Sequence, residues 1–190
     1  DIQPLLRFLD TGAELGARHV ITAPYDPDLT RLADRLGELA DAARGRGLKV
    51  VLEFFPWTNV PDLATCRKVV EEAGPGVGIL ADSLHFDRSG SRFEDLETAP
   101  PSRLPFAHLC DAPALPAYSL EQLLHTARSE RLPPGEGDID LARFLSALPP
   151  GIPLGLEVPM AGNPGEQDPV TVFRRLREAT IELLRVVHDA

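Results

Sequence analysis

The sequence is short of several things, and each shortage removes a class of protein. Cysteine occurs twice in 190 residues, as Cys66 and Cys110, with no CxxC pairing. Two cysteines cannot staple a disulfide scaffold, which points to a reducing, cytoplasmic compartment. Lysine and arginine are the minority charge, 19 against 29 Asp and Glu, for a formal net charge of −10. Phosphate-backbone binding asks for a basic footprint, so no nucleic-acid partner is expected. No apolar run approaches the ~18–20 residues of a membrane span, and no secretory leader pattern opens the chain. No membrane partner is expected either. An initiator Met is missing, and the first residues already read as a helix. What remains is 43% hydrophobic and 25% charged, the balance of a globular domain with a sizeable core over residues 1–190.

Hydrophobic periodicity organises that domain. Leu5, Leu6, Leu9, Ala13 and Leu15 recur at helical spacing within residues 2–17. The β-branched run 19–22 follows, then a strongly amphipathic helix over 29–43 that stops at Gly45 and Gly47. Residues 49–55 are apolar almost throughout and too short for a helix, as a strand buried on both faces would be. The pattern continues with helix 62–73, strand 77–81, a short helix over 93–96 and strand 104–109. Ser119 and Gln122 have capping-box spacing for a helix to about residue 131, and Asp138 or Asp140 caps a short helix to 148. Strand 152–158 and a helix over 168–188, opened by Asp168-Pro169, complete the chain. Five strands alternate with helices, which argues for an α/β fold built on a parallel sheet. An open doubly wound sheet and a (β/α)8 barrel both fit. No GxGxxG or Walker loop follows any predicted strand, so the barrel is the better reading.

Four of those strands carry a potential metal ligand at or near their carboxyl ends. They are Glu53, Asp82, His108 and Glu157. A carboxylate ending a buried apolar strand is costly to desolvate unless something positive compensates it. In a barrel, four such strand ends converge on one spot at the mouth. Three carboxylates and one imidazole suit a single divalent ion, Mn²⁺ or Mg²⁺ first, with Co²⁺ or Zn²⁺ also compatible. The plainer reading is that each caps a helix or bonds within a loop.

Five motifs occur in order: Leu52-Glu53-Phe54, Ala81-Asp82-Ser83-Leu84-His85, Ala107-His108-Leu109-Cys110-Asp111, Pro134-Gly135-Glu136-Gly137-Asp138, and Leu156-Glu157-Val158-Pro159. Together they resemble the xylose isomerase-like TIM-barrel superfamily, in its sugar phosphate isomerase/epimerase branch (the AP endonuclease 2 group). The resemblance spans about residues 5–185. It implies that Glu53, Asp82, His108 and Glu157 hold one divalent metal and that His85 contacts substrate. It also places these ligands on strands five to eight, with 20–23 as strand four and strands one to three missing. Five strands cannot close a barrel of eight, so an N-terminally truncated chain is expected. If the chain is complete, a partner such as a second copy of itself must cover the open edges.

Two departures narrow the resemblance. The endonuclease IV branch uses an Asp-x-His pair where this chain has Ser129 and Arg131, which argues against a DNA-repair nuclease. Ketose 3-epimerases usually carry an Arg six residues after the ligand histidine, where this chain has Ala114. The expected chemistry is proton transfer α to a carbonyl of a small sugar or polyol substrate. A metal would act as Lewis acid on the enediolate, and Glu53 and Glu157 would serve as catalytic base and acid. If the intermediate instead expels a β-hydroxyl, with His85 as acid, the same site is a dehydratase of a cyclic keto acid or inosose. A catalytically inactive binding domain is the third reading.

Arg131 is expected as a substrate-binding cation for a carboxylate or phosphate, because the overall field repels anions. Its plain alternative is a surface pair with Glu130 or Glu136. Asp111 reads equally as a turn cap or as support for the site, and Phe54, Phe55 and Trp57 as pocket wall or core. Cys110 reads as a small buried hydrophobe, and His19, His125 and His188 as structural or surface residues.

Overall fold

The computed structural model describes residues 2–114, 118–160 and 168–188. Five parallel strands form one sheet in sequence order: β1 His19–Thr22, β2 Lys49–Glu53, β3 Val77–Asp82, β4 Ala107–Leu109 and β5 Leu154–Leu156. The order never reverses, so the winding is that of a barrel segment and not of a doubly wound sheet. Helices α1 Gln3–Glu14, α2 Leu29–Arg44, α3 Leu63–Glu72, α4 Ser83–Arg88, α5 Phe93–Glu97, α6 Leu120–Ser129, α7 Leu141–Ala147 and α8 Pro169–His188 complete the elements.

Local chemistry sets their ends. Asp28 accepts from Arg31 N at the start of α2, Asp62 from Thr65 N at α3, and Asp140 from Arg143 N at α7. The capping box at Ser119 and Gln122 is formed in both directions. Leu32, Leu36, Leu39 and Ala43 bury the inner stripe of α2 in a core shared with Val50, Leu52, Leu63 and Ile79. Strand β2 is buried on both faces beyond its exposed first residue, Lys49. At the outer strand β1, Val20 is buried and the neighbouring Ile21 exposed, so its two faces differ.

Several strands are shorter than their apolar runs. The chain leaves β2 after Glu53 because Phe55 N bonds Val60 O and Thr58 N bonds Phe55 O, folding 55–60 into a loop. Only 107–109 of the run 104–109 pairs as strand, since a 3₁₀ turn at Pro101–Arg103 precedes it. The α4 helix was not legible in the sequence. It starts on the residue after β3, and Asp82 both ends the strand and caps the helix.

Candidate metal centre

The carboxyl ends of β2, β3, β4 and β5 lie side by side, and their residues meet. Glu53 and Asp82 are the last residues of their strands, His108 lies within β4 and Glu157 directly follows β5. One ligand atom from each lies within 4.8 Å of every other. His108 Nδ1 is the hub: Glu157 Oε2 stands at 3.3 Å, Asp82 Oδ2 at 3.9 Å and Glu53 Oε1 at 4.0 Å.

Asp82 divides its two oxygens. Oδ1 accepts from Leu84 N and His85 N as the cap of α4, and Oδ2 faces the cluster. Helix capping and site formation are therefore both true of this residue. Ser83, which sequence reasoning passed over, donates to Cys110 O and accepts from Cys110 N, tying the end of β3 to the end of β4.

Arg131 is neither an open anion grip nor a surface residue. It is 3% exposed, and its Nη1 donates to Asp82 Oδ2 at 2.7 Å and to Glu157 O at 3.1 Å. Glu157 Oε2 is 3.3 Å away, while Glu136 pairs with Arg175 instead. Backbone bonds hold it there: Arg131 N to Pro159 O, and Leu132 to Asp111 in both directions. Its place inside the cluster was invisible in the sequence because it lies 49 residues from Asp82.

His85 is buried beside the cluster, its Nε2 3.9 Å from Glu53 Oε1. Phe55 and Trp57 stack at 5.0 Å, and His85 meets both rings edge-on. Phe54 is core. Asp111 is a cap: Oδ1 accepts from Ala112 N and Ile139 N, and Oδ2 from Gly135 N. Cys110 is buried, although its sulfur also lies 3.4 Å from Arg131 Nη1. His19 packs on Phe106, and His125 is exposed. The expectation for the His188 side chain falls outside the described residues, as does Leu115–Ala117.

A family profile described as xylose isomerase-like TIM barrel matches residues 2–179. The chain belongs to that family. It is 30% identical over 152 residues to an inosose isomerase of Bacillus velezensis, covering 74% of this chain and 52% of that protein. The chain therefore spans about half the length of that relative. A 3-dehydroshikimate dehydratase of Pseudomonas putida is 30% identical over 119 residues, 62% of this chain and 18% of the dehydratase. A crystal structure of the IolI protein with a zinc atom superposes with a TM-score of 0.73 at 25% identity. It covers 98% of this chain and 67% of its own. The sheet is accordingly five strands of this family's barrel, and the relatives it matches include an isomerase and a dehydratase.

The residues present fit a divalent ion on their own chemistry. Glu53 Oε1 and His108 Nδ1 are buried with no hydrogen-bond partner. Glu157 Oε2 stands 3.3 Å from His108 Nδ1 without completing a hydrogen bond to it. Among the described residues Trp57 Nε1, His85 Nδ1 and Arg88 Nε are also buried without a partner, but only Glu53 Oε1 and His108 Nδ1 belong to a group of oxygen and nitrogen donors within ligating reach of one another. Burial, then Asp82 and Glu157, push the Glu53 carboxyl up to about 9. Burial alone would also raise Asp82, but the charges of His85 and Arg131 hold it below the usual carboxylate range. Glu157 is held low chiefly by His108. Three carboxylates so close demand positive charge.

Proposed function

We propose that the chain is an isomerase or epimerase of sugar-like polyols that works at one divalent ion held by Glu53, Asp82, His108 and Glu157. The observation that carries this reading is the pair of buried, unpartnered atoms, Glu53 Oε1 and His108 Nδ1, facing two further carboxylates. Such an ion supplies a Lewis acid that stabilises negative charge developing on a substrate carbonyl oxygen.

The protein's own groups move the proton. Glu157 is ionised and its side chain is 46% exposed, so it is the carboxylate a substrate can reach, and it takes the proton α to the carbonyl. Glu53, on the other side of His108 and a carboxylate when the ion is bound, takes the proton of the α-hydroxyl and delivers it to the old carbonyl carbon, while Glu157 gives its proton to the old carbonyl oxygen, so that both glutamates end as they began. His85, with Phe55 and Trp57 packed on it, orients the substrate from the β2 and β3 side. The inosose isomerase relative supports a polyol ketone as substrate.

The dehydratase relative supports a second reading, in which the enediolate expels a β-hydroxyl. That outcome needs a proton donor. Burial lowers the pKa of His85, while Asp82 and Glu157 beside it work the other way. The isomerase reading is preferred because the inosose isomerase matches more of the chain, 74% against 62%.

The test is hydrogen exchange. The Mn²⁺-loaded protein in D₂O, given polyol ketones such as an inosose, should place deuterium at the carbon α to the carbonyl. Glu53→Gln and Glu157→Gln should each stop that exchange while the circular dichroism spectrum is kept. Exchange at wild-type rate in either variant defeats the two-glutamate reading, and release of water from the substrate decides for the dehydratase.

A further inference from the structure

The surroundings of Arg131 Nη1 are those of a cation site. Asp82 Oδ2 lies at 2.7 Å, Glu157 O at 3.1 Å, Glu157 Oε2 at 3.3 Å and Cys110 Sγ at 3.4 Å. Two carboxylate oxygens, a carbonyl oxygen and a sulfur converge on one nitrogen. Two of those four atoms, Asp82 Oδ2 and Glu157 Oε2, are the ones that also face His108 Nδ1. The carboxylates of the metal centre are thus shared between two adjoining positions. Glu53 and His108 complete one of them. The guanidinium fills the other, anchored by Nε to Ala127 O at 3.1 Å.

Charge supports the same division. Glu53, Asp82 and Glu157 ionised carry three negative charges, and one divalent ion leaves one uncompensated. Arg131 supplies that last positive charge, and a second divalent ion would overshoot it. Burial makes the balance matter, because an uncompensated charge away from water is costly.

We propose that Arg131 is a built-in second cation, a positioning residue that shares Asp82 and Glu157 with the metal position and limits the centre to one divalent ion. The inference rests on the proposed function only in taking those four ligands to bind a metal.

The test is metal stoichiometry, read with Cd²⁺ and Zn²⁺ on the full chain by calorimetric titration and elemental analysis. Wild type should bind one equivalent and show no cadmium–thiolate absorption, because Arg131 separates Cys110 from the ion. Arg131→Ala should bind a second equivalent and gain that absorption, and adding Cys110→Ala should remove it. Arg131→Lys, which keeps a cation in place, should return to one equivalent without the band. Should Arg131→Ala fail to fold without metal, Arg131→Gln takes its place. Excess Zn²⁺ should then raise that variant's melting temperature well beyond one equivalent, and an equal effect of one equivalent and of excess overturns the proposal. A wild type with two equivalents, or an Arg131→Ala variant with one and no thiolate band, overturns it and leaves the metal centre standing. A wild type that binds no divalent ion overturns the proposed function itself.

Discussion

The imidazole of His108 lies over Gly155, its register partner on β5, in space that a side chain there would take. A Cβ on Gly155 would stand 3.0 Å from His108 Cδ2 and 3.5 Å from Nε2. Contacts that tight force a neighbour to move by a few tenths of an ångström, and the neighbour here is the hub of the cluster. Gly155→Ala should weaken Mn²⁺ or Zn²⁺ binding by about tenfold, and Gly155→Val by more, by the scale on which supports of metal ligands matter. Calorimetric titration checks this; an unchanged Kd in Gly155→Val would show that the ring is not held by the strand beneath it.

If Glu53 is a metal ligand, ion binding there should compete with protons. With its pKa at about 9 in the metal-free protein, this carboxyl is protonated at pH 7 and must release its proton to bind an ion. Affinity for Zn²⁺ should therefore rise by about tenfold per pH unit from pH 6 toward 9, with about one proton released per ion. Titrations in buffers of differing ionisation enthalpy measure that release. Glu53→Gln should lower the proton count by one.

The same shift has a consequence for stability. Glu53 is raised from 4.5 to about 9, so between those values the folded metal-free chain holds a proton that the unfolded chain has lost. Its contribution is present below about pH 4.5 and declines as pH rises, by at most about 1.4 kcal/mol per unit. Asp82 and Glu157, both held low, work oppositely: their contribution is present above the usual carboxylate range and fades as pH falls. Urea melts of metal-free wild type and Glu53→Gln from pH 5 to 9 isolate the first effect. The wild type should lose stability relative to the variant as pH rises.

Asp111 fastens the loop that carries Gly135 and Gly137 beside the site. It accepts three backbone N–H bonds, and a Cβ on Gly137 would lie 2.4 Å from Asp111 Oδ1 and 2.7 Å from Ala112 N and O. Asp111→Ala leaves buried donors unpaired and should cost about 2–4 kcal/mol; Gly137→Ala must displace backbone and should cost a similar amount. Denaturant unfolding measures both, and losses under 0.5 kcal/mol would assign the loop no part in stability.

The parallel sheet and the residues that end its strands were legible because each depends on local patterns. Apolar runs of about five residues mark buried strands, and a charged residue at the end of such a run stands out against them. Glu53, Asp82 and Glu157 are visible for that reason. Strand lengths were overread because residues such as Leu104 and Phe54 are buried without pairing, and hydropathy reports burial and not hydrogen bonding. Helix α4 was missed because six residues starting on a strand's last carboxylate leave no amphipathic period to read. The place of Arg131 is hidden from the sequence for a different reason. Its partners Asp82 and Glu157 come from other strands, and only the fold brings a loop arginine under them.

The central claim is that Glu53, Asp82, His108 and Glu157 hold one divalent ion, and locating the ion tests it most directly. Crystals grown with Mn²⁺ or Zn²⁺ and measured at the metal's absorption edge should give one anomalous peak. That peak should lie roughly 2–2.5 Å from an oxygen of each carboxylate and from His108 Nδ1. A peak at some other cluster, or none between these four side chains at saturating metal, would contradict the account.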